Sequence, residues 1–124
     1  MEKQWADYLR GLGYQVSTEA YLSVGAVTAR LDIVYRVPSG ILLGIEIKTG
    51  ENPYLSLEQS IVYPHAILGA ATYTGARGSE IGVARDARLP PIPILVIYAE
   101  KPGTEYKFLS LTPEQLDKSR HIGA

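Results

Sequence analysis

Apolar positions recur at helical spacing at the start of the chain. Trp5, Tyr8, Leu9 and Leu12 fall at i, i+3, i+4 and i+7, which predicts a helix over 2–12 with these four side chains on its buried face. Gly11 and Gly13 end it. The spacing then shortens to a loose alternation. "YQVSTEAYLSV" (14–24) predicts a strand, and Gly25-Ala26 a two-residue hairpin turn. Residues 27–37 and 41–49 predict two more strands, joined by Pro38-Ser39-Gly40. "SLEQ" at 56–59 has the form of a capping box, with Ser56 as N-cap and Gln59 at N3, and it opens a second helix. Pro64 lies deep in that helix and predicts a kink. Residues 69–91, rich in Gly, Pro and Arg, read as a long excursion. "IPILVIYAE" (92–100) predicts a buried central strand and "YKFLSL" (106–111) another. Thr112, Pro113 and Gln115 predict the start of a closing helix. The order α-β-β-β-α-β-β-α predicts an α/β sandwich with a mixed sheet.

Strand parity then gives the charged positions a meaning. Strict alternation puts Leu31, Ile33 and Tyr35 on one face and Arg30, Asp32 and Val34 on the other. In the next strand it separates Leu43, Ile45 and Ile47 from Gly44, Glu46 and Lys48. The charges therefore gather on the face opposite the core. Counting back from the two turns sets Asp32 across from Glu46, Arg30 across from Lys48, and Glu19 across from Asp32. Glu19, Asp32 and Glu46 then form a row of carboxylates over three strands, and like charges so placed are destabilising. A hard divalent cation compensates such a row, since Mg²⁺ prefers carboxylate oxygens and keeps waters and phosphate oxygens. Lys48 points a further cation at the same place. Carboxylates, metal and lysine together suit phosphodiester cleavage: the metal activates water and the lysine offsets charge on the phosphorane. The plainer alternative is a solvated sheet face with a cross-strand salt bridge.

Composition narrows this further. A chain of 124 residues, 46% hydrophobic and 20% charged, fits one domain over 1–124. No apolar run approaches the ~20 residues that span a membrane, and "MEKQWADYLR" is too charged for a signal peptide. The absence of cysteine excludes disulfides and thiolate metal sites. His65 and His121 stand far apart, which argues against a histidine-based zinc site. A net charge of −1 and an isoelectric point near 6.1 argue against binding nucleic acid through bulk charge, so any contact must use a local patch.

Asp32, then thirteen residues, then Glu46-Ile47-Lys48 on the second and third strands resembles the PD-(D/E)XK nuclease superfamily. "QSIVY" at 59–63 is similar to the Gln-x-x-x-Tyr motif of its RecB-like branch, with both side chains on one helix face. Leu31 stands where the name-giving proline would be. The resemblance implies an α-β-β-β-α-β core with helices flanking a mixed sheet. It implies Mg²⁺ or Mn²⁺ held by Asp32 and Glu46 with the carbonyl of Ile47, Lys48 as catalytic lysine, and Gln59 and Tyr63 orienting water, metal or phosphate. The first helix offers Glu2 and Asp7 as acidic ligands, but strand geometry favours Glu19. Thr49 and Arg77 are candidate phosphate contacts, as is Gln59. Glu80 and Asp86 interleave with Arg77, Arg85 and Arg88, which equally describes a mixed solvated loop.

"EIKTG", "LSLEQSIVYP" and the following glycine-rich stretch also resemble the nuclease toxin domains at the C-termini of bacterial polymorphic toxins, those of contact-dependent inhibition and type VI effectors. This implies a metal-dependent endonuclease, a DNase ahead of an RNase, and a cognate immunity protein as partner. It also implies delivery into a target-cell cytoplasm as part of a larger toxin. The alternatives are a cytoplasmic repair or junction-processing nuclease and a silent binding module of the same fold.

Overall fold

A computed structural model describes residues 2–49, 55–99 and 107–111. Helix α1 (Glu2–Gly11) leads into a long hairpin of β1 (Gln15–Val24) and β2 (Val27–Arg36), then β3 (Leu42–Thr49) and helix α2 (Leu57–Ile67). Strands β4 (Thr72–Tyr73), β5 (Ile94–Ala99) and β6 (Lys107–Ser110) follow, with a short 3₁₀ turn over Gly78–Ile81. The six strands form one mixed sheet in the order β4-β1-β2-β3-β5-β6. Only the β3–β5 pair is parallel among the described strands. That pairing is what the α2 crossover provides. Among the described residues no helix is long and apolar enough to cross a membrane. The expected closing helix from Thr112 lies outside the described residues.

A core cluster lies on each face of the sheet. Ala6 and Leu9 of α1 pack with Val16, Ile33, Ile45 and Ile97. On the other face Val62, Tyr63 and Ala66 of α2 pack with Leu22, Leu31, Val34, Tyr73, Ile92 and Val96. The excursion over 69–91 is therefore partly core: it supplies edge strand β4 on β1 and the fully buried Tyr73 and Ile81. Two residues of strand are too short to leave a periodic signal.

The face of α1 differs from the spacing-based expectation. Trp5 and Leu9 do turn inward, but Ala6 completes the contact, while Tyr8 and Leu12 are at least half exposed. Helix α2 opens on the expected capping box: Ser56 Oγ accepts from Gln59 N–H, and Gln59 Oε1 accepts from Ser56 N–H. The helix runs through the buried Pro64 and stops a turn later. The hairpin turn at Gly25 has the expected positive φ of 59°.

Strict alternation fails in β1 and β2, and it fails at the same level in both. Residues reaching the α2-side core step from Leu22 and Ala20 to Ser17 in β1, and from Ala29 and Leu31 to Val34 in β2. A flat strand steps by two; each of these takes one step of three. The register is the same above and below the break, with Thr18 on Ile33 and Ala20 on Leu31. Leu31 and Ile33 thus belong to opposite cores, which corrects the simple parity assignment. At the break Glu19 takes a φ of 53°.

Candidate active site at the fork between two strands

The β2–β3 ladder runs from Arg36 on Leu42 to Ile33 on Ile45 and ends there. The next rung would set Asp32 against Glu46. Side chains replace it. Asp32 Oδ2 accepts from Ile47 N–H at 2.8 Å, and Glu46 Oε1 accepts from Asp32 N–H at 3.3 Å. Each carboxylate stands in for a carbonyl of the neighbouring strand, so the strands part while their backbone donors stay satisfied. A strand residue presents N–H and C=O along one edge, so the carbonyl of Ile47 faces the same gap.

Gly44 sets up this fork. A Cβ there would stand 2.6 Å from Leu31 Cδ2 and against Ile92 and Ile94. Its absence lets β3 lie close under the α2-side core just before Glu46.

Glu46 does not face solvent. It is 3% exposed, sealed between the sheet and α2. That corrects the view of a charged face opposite the core: both faces are core, and Glu46 lies inside one of them, while Asp32 and Lys48 are only partly covered and Arg30 is exposed. Four donors surround the carboxylate. Oε1 accepts from Tyr63 Oη–H at 2.7 Å as well as from Asp32 N–H. Oε2 accepts from Gln59 Nε2–H at 3.0 Å and lies 3.4 Å from Lys48 Nζ. Lys48 Nζ donates to Gln59 Oε1 at 2.8 Å. Gln59 is thus at once the capping residue of α2 and the link between Lys48 and Glu46. Capping box and Gln-x-x-x-Tyr pattern are two uses of one side chain, and Tyr63, one turn on, reaches the same carboxylate.

Burial pushes the Glu46 carboxyl above the usual range, and the Asp32 charge adds to it; the Tyr63 hydroxyl and Lys48 work in the opposite direction. Burial also raises the Asp32 carboxyl, against the Ile47 N–H, Arg30 and Lys48. Tyr63 is held well above its ordinary value by burial and by the Glu46 charge. Glu46 is buried and Asp32 partly so; Lys48 lies 3.4 Å from the first and Arg30 3.6 Å from the second.

No family model matches this chain, and no curated protein matches it.

The donor set fits a hard divalent ion by its chemistry: carboxylates of Asp32 and Glu46, and a strand carbonyl at Ile47. Among the described residues no three Asp, Glu or His side chains converge on a common metal position. Glu19, expected to complete a row of carboxylates, goes elsewhere. Its Oε1 lies 3.7 Å from Arg30 Nη2, as part of a second charged group with Glu2 (3.1 Å) and Asp32 Oδ1 (3.6 Å). Lys48 also turns away from its counted partner Arg30 toward α2. Asp32 therefore joins two clusters, with Oδ2 at the fork and Oδ1 toward Arg30. Sequence reasoning placed Arg30 but assigned it nothing; its signal was the run of Arg30 and Asp32 beside Glu19 in the hairpin register.

Arg77 donates through Nη1 to Thr18 Oγ1 at 3.2 Å and lines a groove of about 260 Å³ with Glu2, Lys3, Arg10 and Glu19. The groove opens beside the Arg30 cluster. Thr49 closes β3, in register with Ala99 of β5. Arg85 and Arg88 are exposed, the latter donating to the Gly69 carbonyl. His65 is exposed on α2 with Nδ1 against the Ile61 carbonyl.

Proposed function

We propose that this chain is a metal-dependent nuclease of the PD-(D/E)XK type, acting on DNA as an antibacterial toxin domain that a cognate immunity protein neutralises. The observation that carries the reading is the convergence on Glu46. Lys48, Gln59 and Tyr63, from β3 and α2, meet that one buried carboxylate with their side chains, and Asp32 of β2 meets it with its backbone N–H while its own carboxylate takes the Ile47 N–H beside it. These are the residues of the Asp…Glu-x-Lys and Gln-x-x-x-Tyr patterns.

In this reading Asp32, Glu46 and the Ile47 carbonyl would hold Mg²⁺ or Mn²⁺, which when bound offsets phosphate charge and makes a water a better nucleophile. The remaining work belongs to the chain. Among the described residues Lys48 donates one hydrogen bond, to Gln59 Oε1, and pairs with Glu46 at 3.4 Å; in this reading a further N–H serves the substrate. That N–H is directed to the attacking water or to the negative charge that develops on the phosphate. Gln59 fixes the ammonium by accepting from it, and spends its own N–H on Glu46. Tyr63 favours the ionised form of Glu46 by donating to it, against burial and the Asp32 charge. Arg77, with Lys3 and Arg10 in the adjacent groove, gives a chain of near-neutral net charge a local place for the flanking phosphates.

One observation favours a second reading, a silent binding module: both Glu46 oxygens already accept from protein donors. Degradation of plasmid DNA and of RNA, with and without EDTA, separates the two. The nuclease reading expects EDTA-sensitive cleavage that Glu46→Gln and Lys48→Ala abolish; unimpaired cleavage by either variant sinks the mechanism, and no cleavage by folded wild type favours the module. Growth inhibition on expression, relieved by the neighbouring open reading frame, tests the toxin role; equal toxicity with and without that frame argues against it.

A further inference from the structure

We propose that two buried hydroxyls, those of Ser17 and Tyr73, position Arg77 over the edge of β1 as a clamp on a DNA phosphate that flanks the scissile bond. This rests on the nuclease reading above. Ser17 belongs to β1 and Tyr73 to β4, and both are fully buried. Their oxygens lie 3.1 Å apart. Buried hydroxyls need partners, and one assignment gives both protons an acceptor. Tyr73 Oη–H donates to Ser17 Oγ, and Ser17 Oγ–H donates onward to the Arg77 carbonyl at 3.3 Å, with Glu80 Oε1 beside it at 3.4 Å. The relay ends on the backbone of Arg77.

The excursion after β4 is tied down around the Tyr73 ring. Thr74 N–H donates to the Tyr21 carbonyl, Asp86 N–H to the Tyr73 carbonyl and Val83 N–H to the Gly78 carbonyl. A Cβ on Gly78 would run into the Val83 carbonyl oxygen and stand 3.2 Å from Tyr73 Cε1, so glycine is what lets the chain pass this close. Ile81, at the end of the 3₁₀ turn, is fully buried. Arg77 directly precedes that turn and is itself exposed. Its backbone is therefore fixed before any ligand arrives, so less freedom is lost when the side chain binds.

The side chain is aimed by a second bond, from Nη1 to Thr18 Oγ1 at 3.2 Å. Thr18 pairs with Ile33, and Ile33 with Ile45, the last rung before the fork. Two strand spacings of ~4.8 Å set Thr18 about 10 Å from β3. The groove that Arg77 lines leads back to the fork. Glu2 in its wall binds Arg30 at 3.1 Å, and Arg30 lies 3.6 Å from Asp32. The other charges of the groove are engaged: Glu2 and Glu19 with Arg30, and Arg10 with Asp7. Among the described residues Arg77 forms no ion pair and donates only through Nη1. A guanidinium held at its backbone and at one N–H, with the rest of its fork open, has the chemistry to take a phosphate oxygen. Ser17 and Tyr73 are positioning residues in this account, acting through Arg77.

The test is binding of a fluorescently labelled DNA duplex to the full chain in EDTA, read by anisotropy across a salt series. Wild type is expected to bind. Arg77→Ala should bind about fivefold more weakly, the upper range for one exposed ion pair, with the salt slope reduced by ~1. Ser17→Ala, shown folded by circular dichroism, should reproduce both changes and add nothing in the Arg77→Ala background. A residue that only stabilised the fold would leave the salt slope unmoved. Wild-type binding by Ser17→Ala, or losses that add in the double variant, overturns the inference. If Ser17→Ala does not fold, Tyr73→Phe removes the hydroxyl and keeps the buried ring. It should weaken binding only where Arg77 is present, and wild-type binding by that variant overturns the inference. Arg77-dependent binding by a protein that Mg²⁺ does not make cleave supports the clamp and sinks the nuclease reading. Mg²⁺-dependent cleavage with Arg77→Ala binding at wild-type strength does the reverse. No binding by folded wild type overturns the clamp.

Discussion

Tyr63→Phe removes one oxygen and leaves the ring packed. The hydroxyl is fully buried and reaches two acceptors, Glu46 Oε1 at 2.7 Å and the Arg30 carbonyl at 3.0 Å. With one proton to give, it serves the nearer, charged one. A hydrogen bond to a charged group contributes about 1.5–3 kcal/mol, which is the stability expected to be lost while Glu46 is ionised. Glu46 is already raised by burial and by Asp32, and the hydroxyl is what restrains it. Without it, the folded-state pKa of Glu46 rises further. The loss of stability is therefore full only above that new pKa, and fades as pH falls through the window between the variant and wild-type values, where the variant holds the extra proton. Urea denaturation at neutral pH should show the midpoint lowered by about 1 M or more for a domain of this size, with the difference shrinking in acid. A deficit of equal size at both pH values would refute the reasoning, because it would mean the hydroxyl acts by packing or through the Arg30 carbonyl rather than on the Glu46 charge.

The same carboxyls set the pH response of the wild type. Asp32 and Glu46 are raised in the folded state, so between their unfolded and folded pKa values the folded protein holds more protons than the unfolded chain; stability should fall as pH rises through that window, and Mg²⁺ or Mn²⁺ should restore the loss in thermal melts at neutral pH. Ser56→Ala should cost about 1 kcal/mol of stability as a lost cap with cleavage retained, whereas Gln59→Ala should lose cleavage as well; matching effects of the two variants on cleavage would reduce Gln59 to a cap. Gly44→Ala places a Cβ against the buried Leu31 and should destabilise by about 1–3 kcal/mol, read by denaturation; a neutral result would mean that β3 can shift without disturbing the core.

Several elements were legible from the chain: the β1–β2 hairpin with its turn at Gly25, β3, the capped start of α2, and β5 as a buried strand inside the sheet. Strand register put Asp32 across from Glu46 with Lys48 on the same face; that Gln59 and Tyr63 join them was implied only by the resemblance. Two things did not follow. Parity reasoning assumes flat strands, and the paired break at Glu19 and Asp32 is invisible to it because no residue is inserted and no glycine marks it. It therefore put Leu31 and Ile33 on one face and grouped Glu19 with Glu46 instead of with Arg30. The burial of Glu46 was also hidden. Its position under α2 depends on Gly44 and on the Tyr63 ring packing over the fork, tertiary facts that a local pattern does not carry.

The site is an assembly around a buried carboxylate whose charge must be kept. Its most direct test is cleavage of a labelled DNA duplex by purified protein in the presence of Mg²⁺, comparing wild type with Asp32→Asn, a near-isosteric change at the fork, each shown folded by circular dichroism. The account predicts cleavage by wild type that EDTA stops and added Mg²⁺ restores, and a fall of at least a hundredfold, about 2.7 kcal/mol in the barrier, for Asp32→Asn. Cleavage by Asp32→Asn at the wild-type rate, or wild-type cleavage that EDTA leaves untouched, would contradict it.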